Sequence, residues 1–264
     1  RCCSSAASDV YKRQVREAYL NGLTLEFTKQ GNPYKFGLIG STDTHVVASS
    51  LDESNYWSKV GLLDGDPENR GSVPLKEENV ARLEEYMRAF NQPISTVTLE
   101  QGEYANTGFT QWGASGLAAA WAEENTRESL FAAFRRKETF ATTGPRISVR
   151  FFGGYNLSSI DLNSESLVSE AYSKGVTMGA DLLNNDDQIP EFIVWALRDM
   201  NSAPLQRIQI IKGWIDMNSG RPKEKVFDVA CSDGLEPDPI TNRCPDNGAR
   251  VNINDCSITP NVGS

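Results

Sequence analysis

Asn32-Pro33-Tyr34-Lys35-Phe36-Gly37-Leu38-Ile39-Gly40-Ser41-Thr42-Asp43-Thr44-His45 decides how the chain is read. Its middle, Phe36 to Ser41, is a short apolar run between glycines and predicts a buried strand. Strand side chains alternate faces, so residues two apart point the same way. Just past that strand, Asp43 and His45 can aim a carboxylate oxygen and an imidazole nitrogen at one point. A hard oxygen beside a borderline nitrogen suits a divalent Zn, Mn or Fe ion. His45 is the only histidine among the 264 residues, so a second imidazole donor must come from elsewhere. The plainer alternative is a post-strand turn in which Asp43 caps the next segment.

Upstream, Val15, Ala18, Tyr19, Leu23 and Phe27 recur at helical spacing, and a helix is expected over Val15 to Gln30. Gly31-Asn32-Pro33 should stop it. A helix feeding a buried strand is the unit of an α/β barrel or layered sheet, whose catalytic groups gather at strand C-terminal ends. Asp43 and His45 occupy that place. Residues 1–14 carry no start methionine and no signal-peptide core, and they read as a non-native scar. The chain also stops in polar sequence as if cut, so a missing leader says nothing of compartment.

Downstream, Lys76 to Phe90 predicts an amphipathic helix with Val80, Leu83, Met87 and Phe90 on one face. Residues 91–116 read as a long extended loop, either functional or hiding structure. Asn125 or Thr126 should cap a helix running to about Lys137, with Leu130, Phe131 and Phe134 on its apolar face. Beyond Gly144-Pro145 the pattern turns strand-like. Ile147 to Phe152, Phe192 to Leu197, Ile208 to Trp214 and Val226 to Ala230 are expected strands, with no convincing helix between them. Phe192 to Leu197 is apolar on both faces, as in a sandwich interior. Trp195 and Trp214 are expected in the core. A β-sandwich-like domain is expected over 145–230, followed by a polar cysteine-containing tail over 231–264.

Composition limits function. Apolar residues make up 39% and charged residues 23%, which is the profile of a soluble globular protein. A net charge of −9 argues against nucleic acid as the main partner, because phosphate binding needs a basic footprint. No apolar run is long enough to span a bilayer. Neither an NTP-binding loop nor a dinucleotide fingerprint is present, and any serine triad would have to use His45. Cys231, Cys244 and Cys256 have spacings unlike zinc ribbons. One disulfide among them, such as Cys231 with Cys244, would lean the protein towards a periplasmic or secreted setting.

Other candidates are open to two readings each. Glu123 and Glu124 could be an acid/base pair, or could simply favour a helix N-terminus. Arg146 could bind an anionic substrate oxygen, or belong to a tight interdomain turn. Arg135-Arg136-Lys137 reads as a solvated helix end. Asp181 to Asp187 fits no EF-hand spacing and reads as a hydrophilic turn.

Three blocks in order carry a family resemblance: Asn32 to His45; Trp121 to Glu128 running on through Arg135 to Arg146; and Ile208-Gln209-Ile210-Ile211-Lys212-Gly213-Trp214. Together they resemble the bacterial family catalogued as Domain of Unknown Function 3604, over about residues 15 to 260. That family is related to the PHP (polymerase and histidinol phosphatase) metallohydrolases and is similar to their carbaryl-hydrolase-like branch. The resemblance implies a distorted (βα)7 barrel holding two or three divalent metals, followed by a β-rich appendage. Residues 15–144 would then be the C-terminal part of the barrel.

A late Asp-x-His supplies two metal ligands in such enzymes, and that role carries over to Asp43 and His45. The earlier ligands, beginning with a His-x-His, are expected upstream of residue 15. The chain would thus be a fragment of a hydrolase that attacks a phosphoester, or an activated ester or carbamate, through a metal-bound water. Its partner would be a small-molecule substrate, and the isolated fragment is expected to be inactive. The alternative is a non-catalytic β-rich binding or structural module of the cell envelope.

Overall fold

The computed structural model describes residues 6–41, 68, 71, 73–89, 91, 96–106, 116–185, 187–252 and 257–264, with the backbone alone at 6–13, 82 and 86. The chain divides into two compact units, one of residues 1–38, 120–140 and 146–264, the other of 39–119 and 141–145. Among the described residues no helix is long and apolar enough to cross a membrane.

In the larger unit, helix α1 (Ala6–Phe27) begins well before the periodic residues and ends before Gln30. Its stop lies in the backbone: Lys29 and Gly31 both take left-handed φ values of 62° and 82°, ahead of Pro33. Helix α3 (Arg127–Arg136) starts where expected, with Thr126 as its cap, its Oγ1 accepting from the Ser129 N–H at 3.3 Å. The face expected to be buried is not. Phe131 is 65% and Phe134 46% exposed, while Ala133 alone of this helix is fully covered. The apolar spacing is there, but the described residues do not cover that face.

Strand β5 (Ser148–Gly154) is the centre of a three-stranded antiparallel sheet, flanked by β6 (Gly175–Thr177) and β7 (Glu191–Leu197). Phe152 pairs in register with Ile193, and Arg150 with Trp195. A helix, α4 (Leu167–Lys174), intervenes between β5 and β6 where none was expected. Phe152, Leu157, Ile160, Ala171 and Ile193 form the buried core, with Leu167 and Trp195 packed on it. The β7 run is not buried on both faces: Ile193 is buried, whereas Phe192 and Leu197 are exposed. Strands β8 (Arg207–Asp216) and β9 (Arg221–Cys231) form a long antiparallel hairpin, and α1 lies against it. Trp214 on β8 is half-buried, with the Lys212 ammonium 5.7 Å from its ring centroid.

Cys231 at the end of β9 is bonded to Cys244, closing the tail loop. Cys256 lies outside the described residues. Beneath the disulfide, Asp228 is a buried hub. Its carboxylate accepts from the Cys244 N–H at 2.7 Å, the Gln209 amide at 2.6 Å, and Arg207 and Arg243 at 3.3 and 3.2 Å.

In the smaller unit, α2 (Glu77–Ala89) buries Leu83 and Met87 against Ala105 and Leu75. Val80 is half-buried, and Phe90 lies outside the described residues. Glu68 accepts from the Lys76 N–H and the Asn79 amide at 3.0 and 2.8 Å, satisfying donors at the helix start. The stretch expected as a loop holds a hairpin instead, β1 (Thr96–Leu99) paired with β2 (Gly102–Ala105). Two further short strands, β3 (Ala118–Ala120) and β4 (Thr139–Ala141), each have residues in both units' ranges and pair with each other.

Lys137, just after α3, is held at φ 62° with its N–H on the Ala133 and Phe134 carbonyls. Gly179, at φ +82°, packs against it so closely that a Cβ there would stand 2.3 Å from the Lys137 carbonyl oxygen. Substituting Gly179→Ala therefore adds both a left-handed penalty and a backbone clash. We expect a loss of about 2 kcal/mol in urea denaturation. An unchanged midpoint would show that the 179 turn yields freely.

Candidate functional site

Asp43 and His45 themselves lie outside the described residues. The chain leading to them is described as far as Ser41, and it corrects the expectation of a buried strand. Residues 36–41 belong to no strand, and Phe36, Leu38 and Ile39 are exposed by 42%, 41% and 56%. At the start of this run, side chains take main-chain acceptors: the Lys35 carbonyl accepts from the Lys137 ammonium at 3.3 Å and the Phe36 carbonyl from the Tyr19 hydroxyl at 3.1 Å.

At the end of this run the chain is clamped. The Gly40 N–H donates to the Leu117 carbonyl at 3.2 Å. The same carbonyl accepts from the Thr142 N–H at 3.2 Å, and Thr142 Oγ1 accepts from the Leu117 N–H at 3.3 Å. A Cβ at Gly40 would stand 2.6 Å from the Leu117 oxygen and 2.7 Å from the Thr142 oxygen, so only glycine fits without a shift. Two sequence blocks far apart in the chain thus meet here: the lead-in to Asp43-Thr44-His45 and the buried Thr142 of Thr142-Thr143-Gly144-Pro145-Arg146.

The weaker candidates have local roles. Glu123 and Glu124 are exposed in the turn ahead of α3, and the Glu124 N–H donates to Ser129 Oγ at 3.1 Å. The exposed Arg146 gives its backbone N–H to Asp199 at 2.8 Å, which holds the Asp199 carboxyl below its ordinary range. Asp181 lies in an irregular, hydrophilic stretch and faces Lys35. Among the described residues no group of three or more His, Cys, Asp or Glu side chains is placed to hold a metal ion. The donor chemistry of Asp43 and His45 suits a divalent ion. They supply only part of a coordination shell.

Two features escaped the sequence reading. The first is a polar network beneath α3. Glu138 is 2% exposed, and its carboxylate accepts from the Tyr172 hydroxyl, from Thr177 Oγ1 at 3.0 Å and from Arg136 at 3.2 Å. Arg150 donates to the Tyr172 oxygen at 3.1 Å and lies 3.6 Å over the Trp121 ring. Burial, then the bond to Glu138, pushes the Tyr172 hydroxyl pKa up. Arg136 is therefore more than a solvated helix end: it neutralises a buried acid two residues on.

The second is a groove of about 670 Å³ in the larger unit. Val15, Tyr19 and Leu23 of α1 form one wall, residues 34–38 another, and Ile211 and Gly213 of β8 contribute to the lining. Its charges are mostly paired. Glu224 accepts from Nε and one Nη of Arg16, which holds its carboxyl below the ordinary range. Lys35 stands between Glu26 at 3.4 Å and Asp181 at 3.5 Å, and its ammonium pKa is raised by them.

No curated protein and no solved structure matches the chain. Residues 3–264 match the family described as Protein of unknown function (DUF3604), and the chain belongs to that family.

Proposed function

We propose that this chain forms part of a metal-dependent hydrolase of the PHP type, with Asp43 and His45 as two of its metal ligands. One observation carries the reading: Asp43-Thr44-His45 follows directly on a backbone clamped at Gly40 against Leu117 and Thr142. Such a clamp fixes where the next residues begin, which a metal ligand pair requires. The barrel over 15–144 and the β-sandwich-like domain over 145–230 belong to this proposal.

In it, the Asp43 carboxylate and one neutral His45 ring nitrogen hold the ion, and the other ring N–H is held by an acceptor that fixes the tautomer. A bound Zn, Mn or Fe ion supplies Lewis acidity and an activated water for attack on a phosphoester, or on an activated ester or carbamate. Glu123, Glu124 and Arg146 are not needed. The disulfide fits an oxidising compartment, periplasmic or secreted.

The test is metal analysis of the full-length protein. Asp43→Ala and His45→Ala should each lower bound metal by about one ion per chain. Wild-type metal content in both variants would remove these residues from any site. The long β8–β9 hairpin with its disulfide-closed loop would then favour the second reading, a non-catalytic binding module of the cell envelope.

A further inference from the structure

We propose that the groove between α1 and residues 34–38 binds a small anion with a flat apolar body, of the class of aromatic carboxylates and sulfonates. This rests on unit-internal geometry and is independent of the metal reading. Its volume of about 670 Å³ falls within the range of small-molecule sites. Tyr19, Phe36 and Tyr34 form an aromatic cluster where the two walls meet, with ring centroids 5.2 Å apart for the tilted Tyr19–Phe36 pair and 6.3 Å for the edge-on Tyr34–Phe36 pair. Leu23 and Ile211 add aliphatic lining, and Ile211 is left 47% exposed. A flat ring covered by such surfaces gains both area burial and stacking.

Charge selects the head group. Each of the groove's three carboxylates already meets a cation: Glu224 meets Arg16, while Glu26 and Asp181 share Lys35. Lys137 differs. Its ammonium donates to the Lys35 carbonyl and contacts no carboxylate among the described residues, which leaves donors for an incoming anion. Its position is fixed by the α3 terminus and by Gly179 packed against its backbone. The two carboxylates flanking Lys35 oppose a second negative charge, so one acid group is favoured over two.

The probe is 8-anilinonaphthalene-1-sulfonate, titrated into the folded chain and followed by fluorescence. Saturable binding at one site is expected, with displacement by 1-naphthoate and about tenfold weaker displacement by uncharged 1-naphthylmethanol. Lys137→Gly should weaken probe binding by about tenfold. Glycine is favoured at φ 62°, so this variant keeps its fold. Lys137→Arg should retain binding, and Ile211→Trp should block it by filling the groove. Full affinity in Lys137→Gly, or equal competition by the alcohol, would overturn the proposal. So would a dimer in sedimentation that Ile211→Trp dissociates, because a second copy would then be the occupant.

Discussion

Replacing Phe152 by alanine is expected to remove about 4 kcal/mol of stability. Phe152 is fully buried at the centre of β5. Its ring meets Tyr172 edge-on at 4.9 Å and stacks on Trp195 at 5.7 Å, with Leu157, Ile160, Ala171 and Ile193 around it. Alanine forfeits the transfer energy of the ring and leaves a cavity between three elements that cannot all collapse together. The neighbouring Phe151 provides the control. It points to the other face, half-buried, and stacks on the exposed Phe192 at 5.5 Å. Phe151→Ala should cost about 1 kcal/mol, because water already reaches that pair. Urea denaturation of both variants decides. Equal losses would mean that the sheet has no preferred core face.

The contrast between these two phenylalanines shows what sequence can carry. Alternation over Ile147 to Phe152 identified the strand, and a single oxygen at Thr126 identified the start of α3, because both signals are local. What covers a face is not local. Phe131 and Phe134 have the spacing of a buried helix stripe and are exposed. Helix α4 has only eight residues, too few for its periodicity to stand out. The β1–β2 hairpin turns at Glu100-Gln101 without an Asn-Gly or Asp-Gly signal, although Gly102 at φ +137° marks it. Phe36 to Ser41 misled for a different reason. Apolar residues between glycines describe a strand equally well as an irregular segment, here one whose Phe36 carbonyl is taken by the Tyr19 hydroxyl.

The candidate sites divide the same way. Asp43 and His45 are legible because two metal-donor types stand two residues apart. The groove is not, since α1, Lys35, Lys137, Asp181, Ile211 and Glu224 meet only through the tertiary fold. Asp228 lay between these cases. One acid inside Val226-Phe227-Asp228-Val229-Ala230 is costly to bury without donors, and its donors come from β8 and the tail.

Those donors make Asp228→Asn the second large effect, a loss of about 3 kcal/mol. Asparagine keeps the shape but turns an NH2 group towards groups that themselves donate. The Cys244 N–H and the Gln209 amide bond different oxygens of the carboxylate, so one of them loses its acceptor, and Arg207 and Arg243 lose their counter-charge. The disulfide persists, so the loop stays tethered while its register against β9 loosens. Cleavage by trypsin after Arg243 should accelerate.

Acid gives an independent check. Burial pushes the Asp228 carboxyl up, but the bonds from Cys244, Gln209, Arg243 and Arg207 outweigh it and bring the pKa from 3.8 down to about 2. A folded-state value below the unfolded one contributes stability above the unfolded pKa, which is lost as pH falls through the folded pKa. The stability difference between wild type and Asp228→Asn should therefore be constant above roughly pH 4 and shrink towards pH 2. Asp216, also brought down to about 2, by its bonds from Lys223 and Asn218, is present in both proteins and cancels in that difference. A difference that stays constant down to pH 2 would mean that the ionised carboxylate is not what holds the loop.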